Sequence, residues 1–290
     1  MSTGTDNARQ VGKIVTAHRQ REGGGFIVRR PFPSGGLRHA DPFLLLDEMG
    51  PVDYGPGEAI GAPDHPHRGF ETVTYVLDGE MEHEDSAGHR SLLGPGDVQW
   101  MTAGRGIVHS EMPSHRMQQR GGRMHGFQIW VNLPARDKMA APHYQEIPRA
   151  AIPEPATPDS LALVRVIAGE ALGARAVIAT RTPIGFLHWT FAPGASVAVP
   201  VPPDHAVCVY VFDGAVFVAG REVKDGELAV LGDGNAVHFE AGERAQALLL
   251  SGVPQREPVV QYGPFVMSNE REIIEAIEDY QSGRLGEIAR

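Results

Sequence analysis

Cysteine is almost absent. The 290-residue chain carries one, Cys208, so no disulfide can form within it, and a reducing compartment, the cytoplasm, is the expected setting. No apolar run approaches the roughly 20 residues that a bilayer-crossing helix requires, so no membrane role is expected. The opening residues, Met1 to Gln10, hold no basic stretch followed by an apolar one, and no signal peptide is expected. Basic residues are in deficit, 26 against 36 acidic, for a net charge of −10. A nucleic-acid polyanion is repelled by that balance, and direct contact with one is not expected. Nucleotide and acyl-transfer motifs are missing as well. Gly104-x-Gly106 has no third glycine and no following helix, there is no P-loop, and Ser110 lies in no GxSxG turn. Cys208 has no CxxC partner and reads as a small buried hydrophobe.

What is present points to strands. Apolar residues make up 42% and charged residues 21%, a globular composition. Glycine and proline, at 35 and 23 residues, suit short strands joined by tight turns and argue against a helical bundle. Thr72 to Leu77 is rich in β-branched and aromatic residues, and Asp78-Gly79 follows as a hairpin-type turn. Phe127 to Leu133 alternates as a half-buried strand does. Pro142, Pro148, Pro153, Pro155 and Pro158 then mark an interdomain linker. Beyond it a weak repeat emerges. Tyr75-Val-Leu-Asp-Gly79 matches Tyr210-Val-Phe-Asp-Gly214, and His109-Ser-Glu111 can be set against His238-Phe-Glu240. Two copies of one all-β module follow: residues 1–145, a linker at 146–160, and residues 161–290. The second copy ends in a helix capped by Ser268 or Asn269, with Ile273, Ile274, Ile277 and Tyr280 as its apolar face.

The chemistry concentrates in His65-Pro-His-Arg-Gly-Phe-Glu71 and Gly104-Arg-Gly-Ile-Val-His-Ser-Glu111. Alternate residues of a strand share a face, so His65 pairs with His67 and His109 with Glu111. Either pair alone is common on a surface or in a core. Two such pairs facing inward on neighbouring strands make three imidazoles and a carboxylate, a site for one divalent transition metal. Four ligands in an octahedral shell leave about two positions open, where a closed structural zinc site leaves none. Glu71 is in phase with His65 and His67 and rivals Glu111 for the carboxylate role, unless Gly69 bulges the strand. The remaining histidines (His39, His83, His89, His115, His125, His143, His188, His205) lack companions. Of these, His83 and His125 have the better prospect of lining the pocket. Trp100, Phe127 and Trp130 read as barrel core rather than as a substrate platform.

His65 to Tyr75, Gly94 to Met112 and Gly263-Pro-Phe-Val-Met267 together resemble the pirin family of the cupin superfamily, from Asp41 to the terminal helix. The resemblance implies an all-β bicupin: two antiparallel β-barrels, each a double-stranded β-helix, with a short C-terminal helix. It implies metal ligation by His65, His67, His109 and Glu111, with Fe(II) foremost and Mn, Ni, Co or Zn as other occupants. In the C-terminal copy His65 and His67 fall on Pro200 and Pro202, so that barrel is expected to be metal-free. The activity implied is that of a quercetin 2,3-dioxygenase, which opens the flavonol heterocycle with O2 and releases CO. Glu71 would then orient a ligand histidine or take the 3-hydroxyl proton. The resemblance also implies an alternative: a monomeric, metal- or redox-responsive regulator that binds a transcription factor or a metabolic enzyme. The acidic charge suits a protein partner of that kind.

Overall fold

In the computed structural model, which describes residues 7–290, the chain forms two all-β units. One contains residues 19–30, 43–149 and 255–290; the other contains residues up to His18 together with 31–42 and 150–254. Each unit pairs a large antiparallel sheet with a four-stranded one.

In the first unit the large sheet runs His143–Ile147, Val98–Thr102, Phe70–Asp78, Gly122–Asn132, Phe43–Tyr54, Phe26–Phe32 and His18–Glu22. The four-stranded sheet runs Ala62–His67, Ile107–Pro113, Met81–Asp85 and Arg90–Leu93. The β-branched Thr72–Leu77 segment forms a central strand, as its composition dictates. Asp78-Gly79 does not close a hairpin, however: Phe70–Asp78 and Met81–Asp85 lie in different sheets, so this turn is a corner.

The second unit repeats the plan. Its large sheet runs Val11–Thr16, Glu227–Leu231, Ala206–Asp213, Ala245–Gly252, Ile184–Phe191 and Ala162–Ala168. Its small sheet runs Ala195–Pro200, Ala236–Ala241, Ala215–Val218 and Arg221–Lys224. Apart from the extra outer strand His18–Glu22 of the first unit, this order matches that of the first, and Tyr75 and Tyr210 sit on equivalent central strands. Cys208 is buried here, its thiol pushed up to about 12 by desolvation.

The units do not follow the expected boundaries of 1–145, 146–160 and 161–290. Val11–Thr16 pairs with Glu227–Leu231, so an N-terminal strand completes the C-terminal unit. The terminal helix, Glu270–Gln281, belongs to the unit built from residues 43–149. Strand pairing at such separations leaves no local trace in sequence. The proline-rich stretch is not a free linker either. The Pro153 and Pro155 carbonyls accept hydrogen bonds from the Val166 and Val164 amides, using the acceptors that proline retains. Asn269 caps the helix by accepting from the Glu272 amide at 3.1 Å. Its buried face is Ile273 and Ala276, packed with Val108 and Phe265, while Ile274 is 56% exposed.

Candidate metal centre

Antiparallel register brings the two sequence motifs together. His65 lies opposite His109 and His67 opposite Ile107, while Glu111 faces His83 on the other side of the same strand. The His65 and His67 rings are 4.3 Å and 4.9 Å from the His109 ring, centroid to centroid.

The hydrogen bonds assign the imidazole tautomers. His65 Nδ1 lies 2.8 Å from the Pro63 carbonyl and His67 Nδ1 3.4 Å from the Pro264 carbonyl. An Nδ1–H donating to each carbonyl leaves both Nε2 lone pairs bare, and these two atoms face each other at 3.1 Å. His109 Nε2 is buried close by with no hydrogen-bond partner. Burial, reinforced by the neighbouring imidazoles, holds His67 and His109 well below the ordinary histidine range, so both are neutral. Three imidazole rings crowding ring nitrogens together are stable around a shared cation. For metal–nitrogen bonds of about 2.1 Å, adjacent ligands on an octahedral ion stand about 3.0 Å apart, close to the separation seen here. The residues present fit a divalent metal.

Glu111 joins His83 and His109 in a second group of ligand atoms that overlaps the first through His109. Its carboxylate accepts a hydrogen bond from Thr74 Oγ1 at 2.7 Å and another from Gln128 Nε2 at 3.1 Å. These contacts fix the direction of the carboxylate. Thr74→Val or Gln128→Ala is expected to weaken metal binding about 10- to 100-fold without unfolding the barrel. Competition with a chromophoric chelator measures the change.

Glu71 does not belong to the centre. The strand of His65 and His67 ends at His67, and a new strand in the other sheet begins at Phe70, so odd-number phase is lost across the break. On that new strand Thr74 faces Glu111, and Glu71, three residues earlier, lies on the opposite face, where it accepts from Thr102 Oγ1 at 2.6 Å. The break is made by Gly69, at φ +89°, where a Cβ would stand 2.0 Å from the Val266 carbonyl oxygen. Gly69→Ala should therefore cost about 3 kcal/mol or more and displace His67. Denaturant unfolding together with metal content tests both effects.

His83, one of the two further histidines expected to line the pocket, is the third imidazole around His109. Its Nδ1 lies 3.5 Å from His109 Nδ1 and its Nε2 3.3 Å from Tyr144 Oη. Behind it, burial works against ionisation of Asp85. Hydrogen bonds from His83, Tyr144 and the His89 and Ala87 amides outweigh that and hold the carboxyl far below the usual range. Burial, with Asp85 alongside, raises the Tyr144 phenol. This chain orients His109 from behind. His125 lies elsewhere, bonded to Glu48 at 2.9 Å. Trp100 is core, but Trp130 is half-buried, with its ring 5.2 Å from His67 and 4.4 Å from Phe70, and so walls the centre.

The second unit carries no such side chains at the equivalent register. On the corresponding pair of strands Val197 lies opposite Phe239 and Val199 opposite Val237. His238 and Glu240 are one residue out of phase: Val237, Phe239 and Ala241 point into the core, and Glu240 is exposed. The expected remnant of a ligand pair faces outward.

Comparison with known proteins agrees with this geometry. Residues 25–131 match the family model described as Pirin, and residues 186–286 match the one described as Pirin C-terminal cupin domain. Pirin of Mus musculus is 43% identical over 97% of this chain and 95% of its own length. A quercetin 2,3-dioxygenase of Acinetobacter baumannii, known from its crystal structure, superposes with a TM-score of 0.92 at 37% identity, covering 97% of this chain and all of that one. An Escherichia coli pirin solved in complex with nickel(II) shares the fold, with a TM-score of 0.63 at 19% identity over 83% of this chain and 98% of that one. Both units are thus cupin barrels, and the chain belongs to the pirin family.

Proposed function

We propose that the chain is a metal-dependent dioxygenase that opens the heterocycle of a flavonol such as quercetin with O2 and releases CO. The observation that carries this reading is the convergence of bare, buried imidazole nitrogens from His65, His67 and His109 beside a carboxylate already held by Thr74 and Gln128. The name of the Acinetobacter relative supports the same substrate class.

His65, His67, His109 and Glu111 hold one divalent ion, Fe(II) foremost. Bound there, the metal would supply Lewis acidity toward the 3-hydroxyl and open positions for small molecules. The protein's own residues do the rest. Trp130, set against His67 and Phe70, offers an aromatic wall to a flat polyphenol. Glu111 is the acceptor for the 3-hydroxyl proton, a role that Glu71 cannot fill from the opposite face of its strand. Neutral His67 and His109 keep their lone pairs for ligation at pH 7. The test loads metal-free protein anaerobically with Fe(II), Mn(II), Ni(II) or Co(II) and then adds quercetin and oxygen. Loss of flavonol absorbance with stoichiometric CO is the expected result; the absence of turnover with every metal overturns the reading.

A further inference from the structure

The C-terminal barrel has lost the ligands but is not filled. A cavity of about 690 Å³ opens in it, within the range of small-molecule sites. Ile178, Ile184, Leu187 and Leu249 give it aliphatic walls, and all four are buried. One polar pair stands among them: His205 Nδ1 lies 3.2 Å from the Oγ of buried Ser251. Register places Gly185 opposite Ser251, where a Cβ would stand 2.5 Å from that oxygen, so the absence of a side chain keeps the hydroxyl open.

The chemistry of the lining selects the ligand. Burial, against the pull of Asp204 and with Arg9 adding to it, holds His205 below its ordinary value, so the neutral imidazole is favoured at pH 7. The charged lining residues, Arg175 and Glu170, pair with each other at 3.1 Å and are exposed, so they sit at the mouth without net charge. Arg9, the other cation near His205, gives its guanidinium to the Gly232 and Pro202 carbonyls and does not line the cavity, so an anion meets no free cation in the lining itself. With Nδ1 engaged by Ser251, His205 Nε2 makes no hydrogen bond among the described residues. A hydroxyl both donates and accepts, so it can pair with Nε2 in either tautomer. A rigid ring fills wide aliphatic walls at little cost in rotational freedom.

We propose that the C-terminal barrel is a metal-independent binding site for a neutral, hydroxylated aromatic of one to three rings. Its hydroxyl rests on His205 and its ring lies among Ile178, Ile184, Leu187 and Leu249. The site stands apart from the oxygenase reading and survives its failure.

The test titrates 2-naphthol into full-length, metal-loaded protein by calorimetry. Saturable binding of one equivalent is expected. It should weaken about five- to tenfold in His205→Leu, vanish in Ile178→Trp, which fills the cavity from an irregular segment, and stay unchanged in His109→Leu, whose change lies in the other barrel. The anion 2-naphthoate and the flexible alcohol 1-octanol should each bind at least about tenfold more weakly. Thr180→Trp is a second blocking variant should Ile178→Trp not fold, and melting curves check each variant. No saturable binding, full binding in a folded blocking variant, loss in His109→Leu, or equal binding of naphthoate or octanol each overturns the proposal.

Discussion

His109→Leu should abolish stoichiometric metal binding while leaving the metal-free protein as stable as before, or more stable. His109 belongs to both overlapping groups of ligand atoms, with His65 and His67 on one side and with His83 and Glu111 on the other. Its removal leaves neither group with three members, and metal affinity should fall by more than the 10- to 100-fold typical of outer-shell changes. Turnover should fall with it. Stability behaves differently because the imidazole is a burden when no ion is present. A buried polar atom without a partner costs about 1–3 kcal/mol, and His109 Nε2 is such an atom. Leucine nearly fills the same volume and removes that cost, and what it gives up is only the long 3.5 Å contact to His83 Nδ1.

The pH dependence carries the same sign. His109 is held below its ordinary 6.5, so the unfolded state binds its proton more readily. The metal-free wild type should therefore lose stability as pH falls through about 6.5, and the leucine variant should lose less. Urea unfolding in chelator at pH 7 and 5.5, together with metal analysis, gives all three results. A variant that keeps one metal per chain, or whose metal-free form is destabilised by about 2 kcal/mol or more, would show that His109 is an ordinary core histidine.

Strand parity was readable in sequence wherever the strand was unbroken. His65-x-His67 and His109-x-Glu111 each lie within one strand, and each pair shares a face as alternation requires. Glu71 falls out of phase at Gly69, the position where a bulge is foreseeable from sequence, because the backbone there leaves one sheet for the other. The C-terminal repeat failed in the opposite way. Letter-by-letter matching sets His238 against His109, but the residues of that strand facing the core are Val237, Phe239 and Ala241, and a slip of one residue reverses the face. His83 is expected from sequence to line the pocket, but not to sit against a particular ligand. Its place beside His109 depends on the pairing of Met81–Asp85 with Ile107–Pro113. The Asp78-Gly79 corner that produces this pairing looks in sequence like an ordinary hairpin.

Lys138→Met should cost about 2 kcal/mol and weaken metal binding about tenfold, although Lys138 touches no proposed ligand. The side chain is 2% exposed, and its ammonium donates to the Gly69 carbonyl at 2.8 Å, Asn132 Oδ1 at 2.7 Å and the Val266 carbonyl at 3.1 Å. Gly69 is the break after His67, and Val266 belongs to the segment whose Pro264 carbonyl sets the His67 tautomer. One amine thus ties the ligand loop to the strand that orients its imidazole, with the Val266 amide donating to the Arg68 carbonyl beside it at 3.0 Å. Methionine matches the length but leaves three acceptors unpaired. Burial lowers the amine from 10.5 to about 8, against the pull of Glu257 and Glu272. Between those values the unfolded chain holds the proton that the folded chain has released, so wild-type stability gains with rising pH. The variant has no such gain, and its deficit should widen from pH 8 to pH 10.5 and stay flat below. Urea unfolding across that range reads the difference. A deficit that does not change with pH would mean that the buried ammonium keeps its proton as firmly as a solvated lysine. A variant of undiminished stability would mean that the three carbonyl oxygens find other donors, and the loop would then need another anchor to hold His67 in place.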